Sequence, residues 1–316
     1  MVSKYSVAVL MSTYNGEKFL EEQVRSIMCQ ALVRVHLFVR DDGSNDNTRY
    51  ILNKMMREFP NKMTVKYGKN IGYAHSYFEL MKLSMLNEFD YIAFADQDDV
   101  WSDNKMYTLS GAFYYGSEVP QLSFSNGNVI EKDKKKGELY YGVPSTKSII
   151  SVRYRAFYGM TFLINQSLLK VILATDLDSI TGLGHDDWIM MVSVNTSRIA
   201  YVNQNLINYR QHNGNASGIK SSATNIGSIS QLVKVVTGIR RRLSHWAFVN
   251  SSYAQYILEH IPSEYILADQ LAFLQQLSHA NSNVRTRFKL LFSSYFTAGS
   301  FSQDIILRIL LILKKI

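Results

Sequence analysis

The sequence predicts an α/β fold, a doubly wound and mainly parallel sheet with a helical C-terminal extension. Three observations carry this. Strand-like and helix-like hydrophobic periods alternate over the first hundred residues, polar clusters recur at the ends of the strand-like runs, and from about Ser228 onward the pattern is helical with no strong strand signal. A length of 316 residues with 47% apolar content suits one large domain plus an appendage and excludes a disordered or fibrous chain.

The elements follow in order. Val7–Met11 is a short, continuous apolar run, read as a buried strand. Leu20, Val24, Ile27, Met28 and Ala31 then recur on one face of a 3.6-residue period, a helix. Val35–Val39 is a second strand, followed by the turn Asp41-Asp42-Gly43-Ser44 and a helix from about Asn47 to Glu58. Met63–Tyr67, Ala74–Leu86 and Tyr91–Ala95 continue as strand, helix and strand. Beyond them, Leu122–Ser125, Asn128–Ile130 and Tyr158–Ile164 read as strands and Asn165–Ala174 as a helix. A further helix opens at Gly184 and runs to about Asn195, and Ile199–Val202 and Leu206–Arg210 read as short strands. The lysine-rich stretch Glu131–Glu138 reads as an exposed loop. A Ser-, Asn- and Gly-rich boundary near Gly218–Ser230 separates a domain over 1–218 from a basic helical region over 219–316.

A parallel sheet of this kind binds ligands beyond the carboxyl ends of its strands. That rule selects four clusters on one edge: Thr13-Tyr14-Asn15-Gly16, Asp41–Ser44, Asn70-Ile71-Gly72 and Asp96-Gln97-Asp98-Asp99. Three carboxylates within Asp96–Asp99 repel one another, and a cation relieves this. Mg²⁺ or Mn²⁺ takes one or two protein carboxylates together with phosphate oxygens and water, so a nucleotide diphosphate is the natural second ligand set. The competing role for these acids is a helix N-cap cluster. Thr13–Gly16 would place backbone N–H groups near the nucleotide, and a carboxylate at Asp42-Gly43-Ser44 would accept the N3–H of a pyrimidine. His185-Asp186-Asp187-Trp188 supplies a carboxylate at a helix start, suited to take a proton from an attacking hydroxyl. Trp188 packs into the core or the acceptor floor. Arg210 or His212, in Tyr209-Arg210-Gln211-His212, would neutralise a leaving diphosphate, or His212 would ligate the metal.

Charge is distributed unevenly. Net charge is +8, and residues 220–316 hold 11 of the 34 Lys/Arg but 4 of the 26 Asp/Glu. The excess basicity points to an anionic partner for that region. No zinc-finger, RNP-like or helix-turn-helix spacing is present, so a membrane surface is expected rather than nucleic acid. Arg285, Arg287, Lys289, Arg308, Lys314 and Lys315 accompany Leu290, Leu291, Phe292, Tyr295 and Phe296. The apolar segment Ile305–Ile316 is about 18 Å long as a helix, too short to span a core of about 30 Å. An interfacial helix follows, the alternatives being a buried helix or a homodimer contact. The single Cys29 fits a reducing compartment, and Val7–Met11 is too short for a signal peptide, so a cytoplasmic location is expected.

Taken in their order and spacing, Ser12–Gly16, Asp41–Ser44, Ala95–Trp101, Gly184–Trp188 and Tyr209–His212 resemble the family 2 inverting glycosyltransferases of GT-A fold. The chain looks most like the bacterial rhamnosyltransferases of cell-wall and capsular polysaccharide assembly. The resemblance covers about residues 5–218 and implies a nucleotide-diphosphate sugar donor, dTDP-rhamnose or a UDP-hexose, and a carbohydrate acceptor that is lipid-linked at the inner face of the plasma membrane. It implies that Asp42 or Asp41 contacts the base, that Asp96 and Asp98 form the metal and diphosphate motif, with Gln97 beside them, and that Asp186 is the general base, with Asp187 and Trp188 on the acceptor side. Asp187 between Asp186 and an aromatic residue departs from the common pattern. Two other readings remain: a nucleotidyltransferase, for which Thr13–Phe19 offers only Lys18, and a non-catalytic carbohydrate-binding or scaffold protein, in which these carboxylates would have no task.

Overall fold

In a computed structural model of the chain, the described residues are 5–114, 118–154, 156–175, 177–180, 182–212, 251–280 and 282–312. They fall into two compact units. The first comprises Met1–Pro144 with Phe157–Asn215, and the second Ser145–Ala156 with Ala216–Ile316. The boundary expected at Gly218–Ser230 lies outside the described residues.

The first unit is built on one sheet. Strands β1 (Tyr5–Thr13), β2 (Val33–Asp41), β3 (Met63–Tyr67) and β4 (Tyr91–Ala95) alternate with helices α1 (Leu20–Met28), α2 (Thr48–Glu58) and α3 (Tyr73–Ser84). They pair in parallel in the order β3-β2-β1-β4. Val7–Met11 and all of β4 are buried, as expected for strands covered on both faces. Burying such side chains stabilises by about 1.5–3 kcal/mol each, and this layer holds the rigid floor from which the polar strand ends project.

Past β4 the sheet becomes mixed. β5 (Val100–Trp101) precedes α4 (Lys105–Ser110), and β6 (Gln121–Glu131) precedes β7 (Lys134–Glu138). A 3₁₀ turn at Gly159–Thr161 leads into β8 (Phe162–Asn165), then α6 (Gln166–Leu173), α7 (His185–Thr196) and β9 (Arg198–Arg210), with α5 (Ile149–Tyr154) belonging to the second unit. The sheet order continues β4-β8-β6-β9-β5, with β8 antiparallel to both neighbours and β6 parallel to β9.

Several expectations are corrected here. The stretch read as an exposed loop over Glu131–Glu138 is a hairpin, β6–β7, turning at Lys132 and Asp133, both at positive φ. Its lysines suit an edge strand, but their uniform polarity hides the alternation that would reveal one. The two short strands read at Ile199–Val202 and Leu206–Arg210 are one 13-residue strand, and Leu122–Ser125 and Asn128–Ile130 are one 11-residue strand. Register shifts between β6 and β9 at Ser125–Asn128 break the hydrophobic pattern without ending the strands.

In the second unit, residues 251–260 form α8, followed by α9 (Ala268–Ser278), α10 (Val284–Phe292) and α11 (Phe301–Ile312). Not all of the basic and apolar residues grouped from the sequence face outward. Leu290 and Phe296 are buried, Arg287 is nearly so, and the Arg308 guanidinium donates to the carbonyl oxygens of Leu291, Ser293 and Phe296. Lys314 and Lys315 lie outside the described residues. Among the described residues, no helix is long and apolar enough to cross a membrane.

Candidate active site

The site lies at the carboxyl ends of β1, β2 and β4. After β1 the chain turns through Tyr14 and Asn15, the latter at φ 48°, and is tied across to its neighbours. Asn15 N–H donates to Ser44 Oγ at 2.9 Å and Gly16 N–H to Thr48 Oγ1 at 2.8 Å. Gln97 clamps Tyr14 from the other side: Tyr14 N–H donates to Gln97 Oε1 at 2.9 Å, and Gln97 Nε2 donates to Tyr14 O at 3.1 Å. These bonds join three of the four sequence clusters, and Asp42 ties in the fourth through Ile71 and Gly72. Thr13 is buried and its Oγ1 has no partner among the described residues.

The pair at the end of β2 divides its work. Asp42 is buried and accepts from Ile71 N–H at 2.8 Å, Gly72 N–H at 2.9 Å and the Arg40 guanidinium. It therefore holds the β3–α3 loop in place. Gly72 sits at φ 84°, a left-handed conformation that favours glycine, and this orients its N–H onto Asp42. Asn70 Oδ1 adds a second acceptor for the same N–H at 3.2 Å. A carboxylate offers about four acceptor positions, so Asp42 retains about one for a ligand N–H. Asp41 receives Arg49 at 2.7 Å on Oδ2, while its Oδ1 is buried without a partner among the described residues.

The acidic turn after β4 is the electrostatic centre. β5 pairs with β9 so that Val100 lies opposite Asn208, and the turn abuts Arg210 and His212. His212 Nε2 is 2.8 Å from Asp98 Oδ2. Arg210 donates from its backbone to Asp99 at 3.2 Å, from Nε to Asp98 O at 3.1 Å, and from its guanidinium to Glu22 at 2.7 Å, while its head lies over the Phe19 ring. Asp96 accepts the Tyr77 hydroxyl at 3.2 Å. Burial, then the charges of Asp98 and Asp186, push the Asp96 carboxyl up to about 7. Burial, then the charges of Asp96 and Asp98, raise Asp99 as well, and its Oδ2 has no partner among the described residues.

Arg210 and the buried Lys105 are the basic side chains beside these three acids. The donors, carboxylate oxygen and imidazole nitrogen, fit Mg²⁺ or Mn²⁺ with diphosphate oxygens completing the shell. Among the described residues, however, no three His, Cys, Asp or Glu side chains gather as a metal cluster. Of the expected Asp96, Asp98 and His212, the last two are in direct contact, while Asp96 accepts the Tyr77 hydroxyl.

Asp186 and Asp187 occupy the first turn of α7, where the helix dipole favours negative charge. Asp186 Oδ1 accepts Asp187 N–H at 2.9 Å, and Gly159 N–H also bonds this carboxylate. Burial nevertheless raises the Asp186 carboxyl above its ordinary range, and its charge is felt at Asp96. The two acids are thus near neighbours, linked through Tyr77, which bonds Asp96 and stacks on His185 beside Asp186. Gly159 is needed there: a Cβ would lie 2.6 Å from His185 Nε2 and 3.3 Å from Asp186 Cβ. Trp188 is fully buried and its Nε1 donates to Thr175 at 3.3 Å, so it packs in the core and is not an acceptor floor.

Sequence reasoning assigned no role to four residues. His185 is buried, stacks on Tyr77 at 3.7 Å and has both ring nitrogens unpartnered among the described residues. Tyr77 links that ring to Asp96, with its hydroxyl also 2.7 Å from Ala95 O. Tyr73 lies one turn before it, and the charges of Asp186 and Asp187 add to burial in raising its hydroxyl. Lys105 is buried with Nζ 2.6 Å from Met160 O and 3.2 Å from the Trp101 ring centroid. Burial pushes Lys105 down, while Asp99 and Asp96 pull it back up. The i, i+4 spacing of Tyr73 and Tyr77 was visible; the burial of Lys105 was not.

Comparison with known proteins gives the family and the fold. The chain is 27% identical over 264 residues to the dTDP-rhamnosyl transferase RfbG of Shigella flexneri, covering 76% of this chain and 87% of that one. It is 26% identical over 222 residues to the glycosyltransferase GlyG of Streptococcus pneumoniae serotype 4, covering 66% and 71%. The crystal structure of S. aureus TarS 1-349 in complex with UDP superposes with a TM-score of 0.55 at 16% identity, over 98% of this chain and 87% of that chain. That likeness establishes a GT-A fold. The family model for glycosyl transferase family 2 matches residues 8–172, just over half of the chain, and the chain belongs to that family.

Proposed function

We propose that this glycosyltransferase moves L-rhamnose from dTDP-rhamnose onto a lipid-linked carbohydrate acceptor, with inversion at the anomeric carbon. The observation that carries the mechanism is the position of Asp186 in the first turn of α7, near enough to Asp96 for its charge to raise that carboxyl. The base lies against the strand-end turns: Thr13 and Tyr14 line it and an Asp41 or Asp42 oxygen accepts its N–H. Asp98 and His212 would hold a divalent cation, which would supply charge neutralisation for the departing diphosphate. Arg210 adds a fixed positive charge beside Asp98. Asp186 accepts the proton of the acceptor hydroxyl as the oxygen attacks the face opposite the diphosphate, and Asp187 contacts the acceptor. Rhamnose is favoured by the likeness to RfbG, which spans most of both chains. A UDP-glucose donor is the second reading, supported by 24% identity over 217 residues to WfaP of Escherichia coli, a UDP-Glc:alpha-D-GlcNAc-diphosphoundecaprenol beta-1,3-glucosyltransferase.

A panel of dTDP- and UDP-sugars, incubated with the full chain and Mn²⁺, tests this. Release of nucleoside diphosphate is expected from dTDP-rhamnose above all others. Preference for UDP-glucose moves the assignment to the second reading, and release from no donor overturns the proposal.

A further inference from the structure

Helices α10 and α11 each bury one apolar stripe and expose another. On α10, Leu290 is buried, while Val284, Phe288 and Phe292, spaced four apart, point outward with the two phenylalanines 64% and 77% exposed. The two rings meet edge to face at 5.3 Å, forming one continuous patch. On α11, Leu307 and Leu311 are buried, while Phe301 (84% exposed), Ile305 and Ile309 repeat the outward spacing. A water-facing helix surface ordinarily carries polar side chains, and aligned exposed apolar residues mark an interaction surface.

Charge decides between occupants. Arg285 and Lys289 are exposed on α10 beside the apolar stripe, and neither forms an ion pair among the described residues. Asp304 of α11, an acidic group nearby in sequence, is turned inward to accept from Thr297 Oγ1 and Ala298 N–H. A second copy pairing symmetrically through α10 would set these cations against their own kind. An anionic lipid surface instead offers hydrocarbon to the phenyl rings and phosphate to the basic flank.

We infer that the α10 stripe, with the α11 stripe beside it in sequence, is an interfacial anchor for an anionic lipid bilayer. Its use rests on the proposed lipid-linked acceptor, but its existence does not depend on the donor or the catalytic base. The test is flotation of the full chain with phosphatidylcholine vesicles, with and without phosphatidylglycerol, at low and high salt. Binding is expected on the anionic vesicles and is expected to weaken with salt. Phe288→Ser/Phe292→Ser should lower partitioning by about tenfold or more, since two phenyl groups leave the apolar contact. Arg285→Gln/Lys289→Gln should lower it by about thirtyfold, from about 1 kcal/mol per basic residue. All variants should release nucleoside diphosphate from the active donor at the parent rate, which shows them folded and keeps failure of the transferase reading separate. No binding of the full chain to anionic vesicles overturns the inference. So does unchanged binding by the phenylalanine variant, or a dimer in light scattering that this variant dissociates without any vesicle binding.

Discussion

Replacing Asp186 by Asn should uncouple stability from catalysis. The asparagine Oδ1 can still accept the N–H of Asp187, now 2.9 Å away, and that of Gly159, so the start of α7 keeps its geometry. What disappears is a buried charge and a proton acceptor. The sign of the stability effect follows from the raised pKa: a carboxyl held above its unfolded value destabilises the fold at neutral pH and ceases to do so as pH falls through the raised value. Removing it should leave the melting temperature unchanged or higher. It should also let Asp96 fall back toward the ordinary carboxylate range, since Asp186 is one of the charges raising it. Transfer should drop about 10²–10⁴-fold, the usual contribution of a positioned base, with nucleotide affinity retained. Steady-state transfer and nucleotide calorimetry, run beside Asp187→Asn, separate these effects. Near-normal transfer by Asp186→Asn with loss in Asp187→Asn would refute the assignment, and a drop in melting temperature would refute the burial argument.

Other expectations follow from the same geometry. Asp42→Ala frees two loop N–H groups and Arg40, and should weaken nucleotide binding by about 1–3 kcal/mol; an unchanged Kd for both UDP and dTDP would exclude Asp42. Asp98→Asn should abolish the Mn²⁺ dependence of turnover, and full activity of the parent chain in excess chelator would count against any metal role. His185, held neutral by burial with its pKa lowered to about 3, contributes stability that is complete above its unfolded value near 6.5. That stability is lost at up to about 1.4 kcal/mol per pH unit as pH falls toward 3. His185→Phe should flatten this acid limb in urea titrations, and an unaltered limb would show that another group governs it.

The first four strands and three helices were legible because buried parallel strands are continuously apolar and their helices carry a single apolar stripe. Leu20, Val24 and Ile27 are all fully buried. That regularity also made the polar strand ends stand out, and the structure ties Tyr14 to Gln97 and Asn15 to Ser44. What stayed hidden depends on contacts distant in sequence. The tie between Asp98 and His212 spans 114 residues and exists because β5 pairs with β9. Asp42 has the same local signature whether it binds a ligand or the 71–72 backbone. Lys105 reads as a surface lysine until the fold closes over it. Trp188 was ambiguous for the opposite reason, since a large aromatic residue serves equally in a core or a sugar site.

The proposed reaction is a single displacement with Asp186 on the face opposite the diphosphate. The most direct measurement is the anomeric configuration of the first-formed product, read by proton NMR during turnover with a donor of known configuration. One base and one attacking oxygen require inversion in every turnover. A product that retains the donor's configuration would contradict the account.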